Sequence, residues 1–130
     1  MRIGELAERA GVSTRTLRYY ESRGLLPARR AVNGYRVYDE EDVCLVTQIR
    51  TLQEFGFGLD ETRPFVECLQ AGYPSGDSCP ASLDGYRQKI AELDALIGQL
   101  QSVRDQVNTQ LVRAEAELPG GPEPRCEMRG

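Results

Sequence analysis

The chain has 130 residues with 40% hydrophobic side chains and a net charge of −4, enough for one modest globular core and an extended element but not for two full domains. It contains no apolar stretch near the roughly 20 residues that a membrane span requires and no apolar signal-peptide region at its N-terminus. We therefore expect a cytoplasmic protein without a membrane-spanning helix.

The charge is distributed unevenly along the chain. Residues 1–38 contain eight arginines against three glutamates, whereas residues 39–130 contain eight basic residues against seventeen acidic ones. A basic segment on an acidic protein allows only that segment to approach the phosphates of a nucleic acid. The pattern therefore predicts a nucleic-acid contact within residues 1–38.

Two short helices are predicted at the start of the chain. Apolar residues recur at helical spacing from Ile3 to Ala10, and Gly11 is suited to end that helix in the left-handed conformation. Ser13 is expected to cap the second helix with its hydroxyl. This order is typical of a helix-turn-helix unit, whose second helix enters the major groove of DNA. An ordinary helical hairpin with a solvated basic face is the alternative that the spacing leaves open.

The second helix is rich in arginine and tyrosine. Leu17 is expected to anchor it to the first helix, so that Arg15, Arg18 and Tyr19 or Tyr20 face outward. Arginine binds guanine edges or phosphates, and tyrosine hydroxyls commonly contact phosphates. The composition of this helix therefore favours a DNA-contacting role.

Residues 29–38 predict a basic hairpin. Asn33-Gly34 favours a type I′ turn between two short extended pieces. A hairpin beside a recognition helix is a wing, and its cations contact the backbone of the neighbouring groove. A solvated hairpin is the alternative. The side chains that favour the wing are Arg29, Arg30, Tyr35, Arg36 and Tyr38.

Two further helices are expected before residue 70. Four acids at residues 39–42 suit the positive end of the third helix. The fourth begins near Asp60 to Thr62, contains Pro64 in its first turn and runs to about Gln70. Residues 71–80, rich in glycine, proline and serine, are expected to form a linker loop. The expected buried face of the third helix comprises Val43, Leu45, Val46, Ile49, Leu52 and Phe55.

Residues 81–118 predict one long helix with an apolar seam. Apolar residues follow in steps of three or four, as in a coiled coil, over a length of roughly 55 Å. The preceding residues could not cover such a seam, so a partner must bury it. A second copy packed antiparallel is expected, and docking of the helix on its own chain is the alternative. Residues 119–130 are expected to form a loop or tail.

Six motifs follow one another in a fixed order: Ile3-Gly4-Glu5-Leu6-Ala7, Gly11-Val12-Ser13, Leu17-Arg18-Tyr19-Tyr20-Glu21, Gly24-Leu25-Leu26-Pro27, Asn33-Gly34-Tyr35-Arg36-Val37-Tyr38 and Phe55-Gly56-Phe57. In these motifs the chain resembles the mercury-resistance regulator (MerR) family of bacterial transcription factors. The match is specific for residues 1–70 and looser afterwards. It implies a mainly α fold: a winged helix-turn-helix DNA-binding domain with a second helix pair over 1–70, a linker over 71–80, an antiparallel coiled-coil dimerisation helix over 81–118, and a tail over 119–130 that can contribute to effector binding.

The resemblance also implies a function. Family members bind palindromic promoter DNA as dimers and activate or repress by bending and untwisting the spacer for RNA polymerase. Carried over by motif position, the DNA contacts are Arg15, Arg18, Tyr19, Tyr20, Arg36 and Tyr38.

Two other classes of function are weighed against this one. An excisionase-like architectural protein that bends DNA is an alternative, which the long helix disfavours. An enzyme is not expected, because the chain has no histidine, no phosphate-binding glycine loop and no recognisable pair of catalytic carboxylates.

The cysteines leave three accounts of the signal open, and none is expected to form a structural disulfide in a reducing compartment. Family metal sensors have one cysteine before the dimerisation helix and a pair after it, whereas here Cys79 is followed only by Cys126. In the first account these two, from opposite subunits and either alone or together with Cys68, would bind a soft metal ion such as copper, zinc or mercury. Alternatively, Cys79 pairs with Cys68 or Cys126 on oxidation. In the third account the effector is a small molecule or absent, the cysteines are incidental, and Cys44 is a small buried residue.

Overall fold

A computed structural model of the protein describes residues 1–118, and this part of the chain is helical without a β-strand. The mainly α fold predicted from the sequence is confirmed. The predicted tail and Cys126 lie outside the described residues. The helices are α1 (Ile3–Ala10), α2 (Thr14–Ser22), α3 (Glu40–Glu54), α4 (Arg63–Gln70) and α5 (Pro80–Glu117), and a 3₁₀ turn, Asp60–Thr62, precedes α4.

The described chain divides into two compact units. The first, residues 1–89, is called the head here and contains α1 to α4 with the beginning of α5. The second begins at Ile90 and contains the remainder of α5. Each unit is described by itself.

Local capping signals set the helix-turn-helix unit. Gly11 ends α1 at φ 71°, and its N–H bonds back to the carbonyls of Ala7 and Glu8. This left-handed conformation carries little steric cost for a residue without a Cβ. The Ser13 hydroxyl then accepts from the N–H of Thr16 at 3.1 Å and caps α2. The predicted boundary between the first two helices is confirmed.

The wing, residues 29–38, forms a hairpin with one antiparallel bridge between Arg30 and Arg36. The prediction of a type I′ turn is wrong, because that turn needs positive φ at both central residues and here Gly34 has it, at 85°, but Asn33 does not. The N–H of Ala31 bonds to the carbonyl of Tyr35 at 2.7 Å, which closes a three-residue loop. The Asn33 side chain accepts from the N–H of Tyr35, and this bond stabilises the longer loop.

The main core of the head lies between α3 and the helix-turn-helix unit. Asp39 and Asp42 form a reciprocal capping box that starts α3. The expected buried residues Leu45, Val46, Ile49 and Leu52 are buried. Phe55 is not: its side chain is 55% exposed, because α3 ends at Glu54 and Phe55 is the C-terminal cap.

A second, aromatic cluster joins α4 to the beginning of α5. The rings of Phe57, Phe65 and Tyr86 meet edge to face, with Phe65 and Tyr86 centroids 4.9 Å apart. Gly85 permits this approach, since a Cβ there would lie 3.2 Å from the Phe65 ring. Lys89, nearly buried, donates to the carbonyl of Gly56 at 3.1 Å. These contacts fix the first turns of α5 against the head.

Residues 90–118, the described part of the second unit, have no core of their own. Every residue of α5 from Ile90 onward is exposed, apolar ones included. None of the helices within residues 1–118 combines the length and apolar character needed to cross a bilayer. The exposed apolar residues in this unit are Ile90, Leu93, Leu96, Ile97, Leu100, Val103, Val107, Leu111, Val112 and Leu118.

Candidate nucleic-acid interface

Three of the eight arginines in residues 1–38 are neutralised by carboxylates of α3 or of the 3₁₀ turn. They bridge α1, α2 and the wing to α3 and the 3₁₀ turn. Hydrogen bonds from the guanidinium groups lower the pKa of Glu40 and of Asp60. These arginines have a structural role in the head. The pairs are Arg9 with Glu40 at 2.5 Å, Arg23 with Asp60 at 2.8 Å and Arg29 with Asp42 at 2.5 Å.

Four other arginines are exposed and have no ion-pair partner among residues 1–118: Arg2, Arg15, Arg18 and Arg30. Three of them, with Arg36, line an open depression of about 430 Å³ between α2, the wing and the start of α1. Unpaired arginines around one concavity create a positive potential that attracts phosphate groups. The structure therefore distinguishes the cations available to a ligand from those already bound within the head.

Glu21, at the end of α2, fixes the wing against that helix. Its side chain is only 6% exposed, and its carboxylate accepts a hydrogen bond from the Tyr38 hydroxyl and lies 3.4 Å from the Arg36 guanidinium. Burial and the bond to Glu21 together raise the pKa of Tyr38 to about 12. The Nε of Arg36 is buried without a hydrogen-bond partner within the described structure. Arg36 is thus held in place while its guanidinium remains partly open to the depression.

The structure corrects two of the six predicted contacts. Tyr20 and Tyr38 are each 3% exposed, and the Tyr20 hydroxyl donates to Gln53 on α3 at 2.8 Å. Both aromatic rings belong to the main core because α2 turns one face toward α3 and the wing folds over that face. Tyr19, one position earlier, is 54% exposed. Of the two adjacent tyrosines, only Tyr19 is available to a duplex.

The structure also adds Arg2, which the sequence did not single out, and Arg30, which the sequence named as a wing cation but not among the six predicted contacts. Arg2 and Arg30 line the depression, and the Arg2 guanidinium stacks over the Tyr35 ring at 3.9 Å from its centroid. Arg2 precedes α1, so no helical pattern includes it. It reaches the wing because the N–H of Tyr38 bonds to the carbonyl of Met1 at 2.8 Å. Only this tertiary pairing could have identified Arg2.

The arrangement of the cysteines differs from the one that a metal site would need. Cys68 on α4 and Cys79 before α5 are joined by a disulfide, with their Cα atoms 5.9 Å apart. Of the two pairings that the redox account leaves open, this is the one present. Cys44 on α3 is exposed rather than buried. Within residues 1–118 no three side chains of His, Cys, Asp or Glu are grouped to hold a metal ion.

Comparison with known proteins agrees with this geometry. The family model described as "MerR HTH family regulatory protein" matches residues 1–67, and a second, "MerR, DNA binding", matches residues 45–110. The chain belongs to the MerR family. The helix-turn-helix unit, the wing and the second helix pair are therefore MerR-type elements.

Relatives of known name include an HTH-type transcriptional regulator and a nodulation protein. The chain is 33% identical to CueR of Salmonella typhimurium, over 98% of this chain and 88% of the relative. It is 36% identical to the nodulation protein NolA of Bradyrhizobium elkanii, over 90% of this chain but 49% of the relative. The chain thus spans about half the length of NolA.

Solved MerR structures share the fold. PbrR691 of Ralstonia metallidurans, in complex with lead(II), is 34% identical, with a TM-score of 0.54 over 81% of this chain and 86% of that one. HiNmlR, a MerR regulator lacking the sensor domain and bound to promoter DNA, is 24% identical, with a TM-score of 0.56 over 92% and 89%. The second comparison supports the fold alone.

Proposed function

We propose that this MerR protein is a transcriptional regulator that binds palindromic promoter DNA as a homodimer. The observation that supports this most directly is the set of four arginines, from α2, the wing and the start of α1, around one open depression. Specific DNA binding combines cations that contact phosphates with a helix that presents side chains to base edges. This function would place the protein in the bacterial cytoplasm, where promoters lie.

The proposed contacts divide between the major groove and the DNA backbone beside it. Arg15, Arg18 and Tyr19 are exposed on α2, the helix that would enter the major groove. On the wing, Arg30 and Arg36 would contact the backbone beside it, together with Tyr35 and the stacked Arg2. Arginine can bind a guanine edge through two hydrogen bonds, which gives sequence discrimination.

The exposed apolar residues of α5 would form the dimer interface. From Ile90 onward they recur at coiled-coil spacing and remain uncovered in the single chain. A seam of this length needs a partner of equal length, and a second copy packed antiparallel supplies one. The dimer would then present two heads to the two halves of a palindrome.

Regulation would act through the shape of the DNA. Bending or untwisting a duplex of promoter length costs on the order of 1–6 kcal/mol. An effector that binds two protein states with a comparable difference in free energy can therefore switch the DNA between two forms. We propose that the distorted form presents the promoter correctly to RNA polymerase.

The test of DNA recognition uses a matched pair of arginine variants. Arg18→Ala removes an exposed, unpaired arginine from the depression, so we expect the affinity for a duplex selected from a random library to fall about 10- to 100-fold, on the order of 1–3 kcal/mol. Arg87→Ala removes an exposed arginine of α5 that pairs with Asp84, so we expect no change. Fluorescence anisotropy measures both. Equal affinity of the Arg18 variant and the wild type would reject the assignment.

A soft metal ion is one candidate for the effector. The lead(II) complex of PbrR691 favours it, and thiolates are the ligands that soft metals prefer. Reduced Cys68 and Cys79 would supply two thiolates, and Cys126 would supply a third. Native mass spectrometry of the reduced dimer with Cu⁺, Zn²⁺ or Hg²⁺ tests this proposal. A stoichiometric ion that Cys79→Ser abolishes is expected, and no bound ion would contradict it.

A further inference from the structure

We propose that Cys68 and Cys79 form a reversible thiol–disulfide site whose oxidised state favours DNA binding. The inference rests on the proposed DNA-binding function and names a signal for it. The site lies wholly within the head, where the end of α4 meets the beginning of α5.

The backbone brings the two cysteines together without rearrangement. Cys68 is 2% exposed on α4, and Cys79, partly exposed, immediately precedes α5. Their Cα atoms lie 5.9 Å apart, within the range that a disulfide requires. The bond therefore closes the linker between the two helices into a covalent loop.

The surrounding structure can accommodate both redox states. The Sγ of Cys68 lies 3.5 Å from the carbonyl oxygen of Ser75, which can accept a hydrogen bond from the thiol after reduction. The linker has other attachments: the Tyr86 hydroxyl donates to Asp77 at 2.5 Å, and Gly76 is buried against α3 and α4. Reduction should therefore loosen the linker without unfolding the head.

The two cysteines have different roles in the chemistry. Cys79 is the more accessible sulfur, and the positive end of α5 stabilises negative charge at this position. Its thiolate attacks a small organic disulfide, forms a mixed disulfide and releases one thiolate. The thiolate of Cys68 then attacks the Cys79 sulfur and expels the second. In total, two cysteine thiols lose two electrons and two protons, and the organic disulfide becomes two thiols.

α4 connects this site to α2, the second helix of the helix-turn-helix unit. Arg63, at the other end of α4, donates to the carbonyl of Arg23 at 2.9 Å. Arg23 is the C-terminal cap of α2 and pairs with Asp60 in the turn before α4. The disulfide restrains the same short helix that supports the end of α2. Because restraint in the free protein lowers the entropic cost of ordering on DNA, the oxidised chain should bind more tightly.

The proposed location of the protein is consistent with a switch. In a reducing bacterial cytoplasm a disulfide does not persist as a structural element, and those that form are transient, catalytic or redox-sensing. A disulfide between a buried and an accessible cysteine at a helix junction therefore fits a sensor.

The experiment measures DNA affinity and thiol state in the same samples. Full-length dimer is equilibrated anaerobically over a series of ratios of reduced to oxidised glutathione. A duplex is selected beforehand from a random library with a mixture of oxidised and reduced protein. Mass spectrometry after alkylation gives the fraction of the Cys68–Cys79 bond, and anisotropy gives the affinity. We expect the affinity to follow the oxidised fraction and to change at least about fivefold.

Serine variants separate the site from the other cysteines. Cys79→Ser places a favoured capping residue before α5, so it should fold, and its affinity should not respond to glutathione. Cys68→Ala, which keeps an apolar side chain in a buried position, should behave in the same way. Cys44→Ser and Cys126→Ser are controls that should retain the full response.

Two kinds of failure can be told apart. If no duplex is enriched in either redox state, the proposed DNA-binding function fails. If a duplex binds but its affinity differs less than fivefold between the states, or is greater for the reduced protein, the redox inference is overturned while DNA binding stands. A response that persists in Cys79→Ser also overturns it.

Discussion

The head and the second unit use apolar residues at similar helical spacing for opposite purposes. In the head, Leu17 and Ile49 are fully buried against neighbouring helices of the same chain. Beyond Ile90, Leu100 is 70% exposed although it lies in an equally regular pattern. Spacing therefore shows that a helix buries one face, but not whether the covering surface belongs to the same chain. The head buries its apolar residues within a single chain, whereas the apolar residues of α5 from Ile90 onward remain exposed in a single chain.

The largest effect is expected where the second unit is perturbed. Leu100→Glu would place a carboxylate from each chain in the proposed dimer seam, and burying unpaired charge is costly. We expect the dimer to dissociate more than about 1,000-fold more readily, at least about 4 kcal/mol. Sedimentation velocity measures the dissociation constant.

Gln101→Glu, an exposed neighbour on α5, is the matched control and should leave the dimer intact. The head of the Leu100 variant should keep its thermal unfolding transition. A dimer that survives Leu100→Glu would mean that a different surface joins the two copies.

A core truncation tests the opposite region. Leu17 has no exposed surface, so Leu17→Ala should leave a cavity between α1, α2 and α3 and lower the free energy of unfolding by about 2–5 kcal/mol. Urea unfolding monitored by circular dichroism measures the change. Leu118→Ala, at a site 74% exposed in the single chain, should cost much less. Equal losses at the two sites would contradict the contrast between the units.

Alkaline pH should destabilise the head alone. Tyr38 has its pKa raised to about 12, above the ordinary value of 10, by burial and by its bond to Glu21. Because this pKa is raised, Tyr38 stabilises the folded head fully below about pH 10. That stabilisation is lost as the pH rises through about 12, which lowers the free energy of unfolding by an amount on the order of 2 kcal/mol. Residues 90–118 contain no tyrosine, lysine or cysteine, so this range leaves their charge unchanged.

The measurement is the unfolding free energy of the head and the dimer mass between pH 9 and pH 12. Tyr38→Phe should reduce the alkaline loss, and the remaining part should come mainly from Tyr86, whose pKa burial and Asp77 also raise to about 12. If the dimer dissociated at a lower pH than the one at which the head unfolds, the association between chains, and not the core of the head, would be the part sensitive to alkali.

Local signals in the sequence predicted the helices well. Gly11, Ser13 and the Asp39–Asp42 capping box act through bonds to nearby backbone groups, so their effect can be read within a few residues. Arg15 and Arg18, which are both exposed, were predicted to face outward because Leu17 was expected to anchor the same short helix.

Tertiary packing explains what the sequence did not show. Tyr19 and Tyr20 are adjacent and chemically identical, and only the position of α3 buries the second. Cys44 was expected to be buried, but it lies on the exposed side of α3. Arg2 enters the site through a backbone bond between Met1 and Tyr38, which are distant in sequence. Such pairings depend on the whole fold and leave no local pattern.

The bonds of Glu21 limit how this interface can evolve. Replacing Glu21 alone would leave the buried hydroxyl of Tyr38 without its acceptor and remove the carboxylate that lies 3.4 Å from Arg36. Changes at positions 21, 36 and 38 should therefore occur together in descendant sequences, even though only Arg36 of the three lines the depression. Correlated substitution at these positions would indicate selection for a fixed orientation of the wing relative to α2, separate from any selection for base preference.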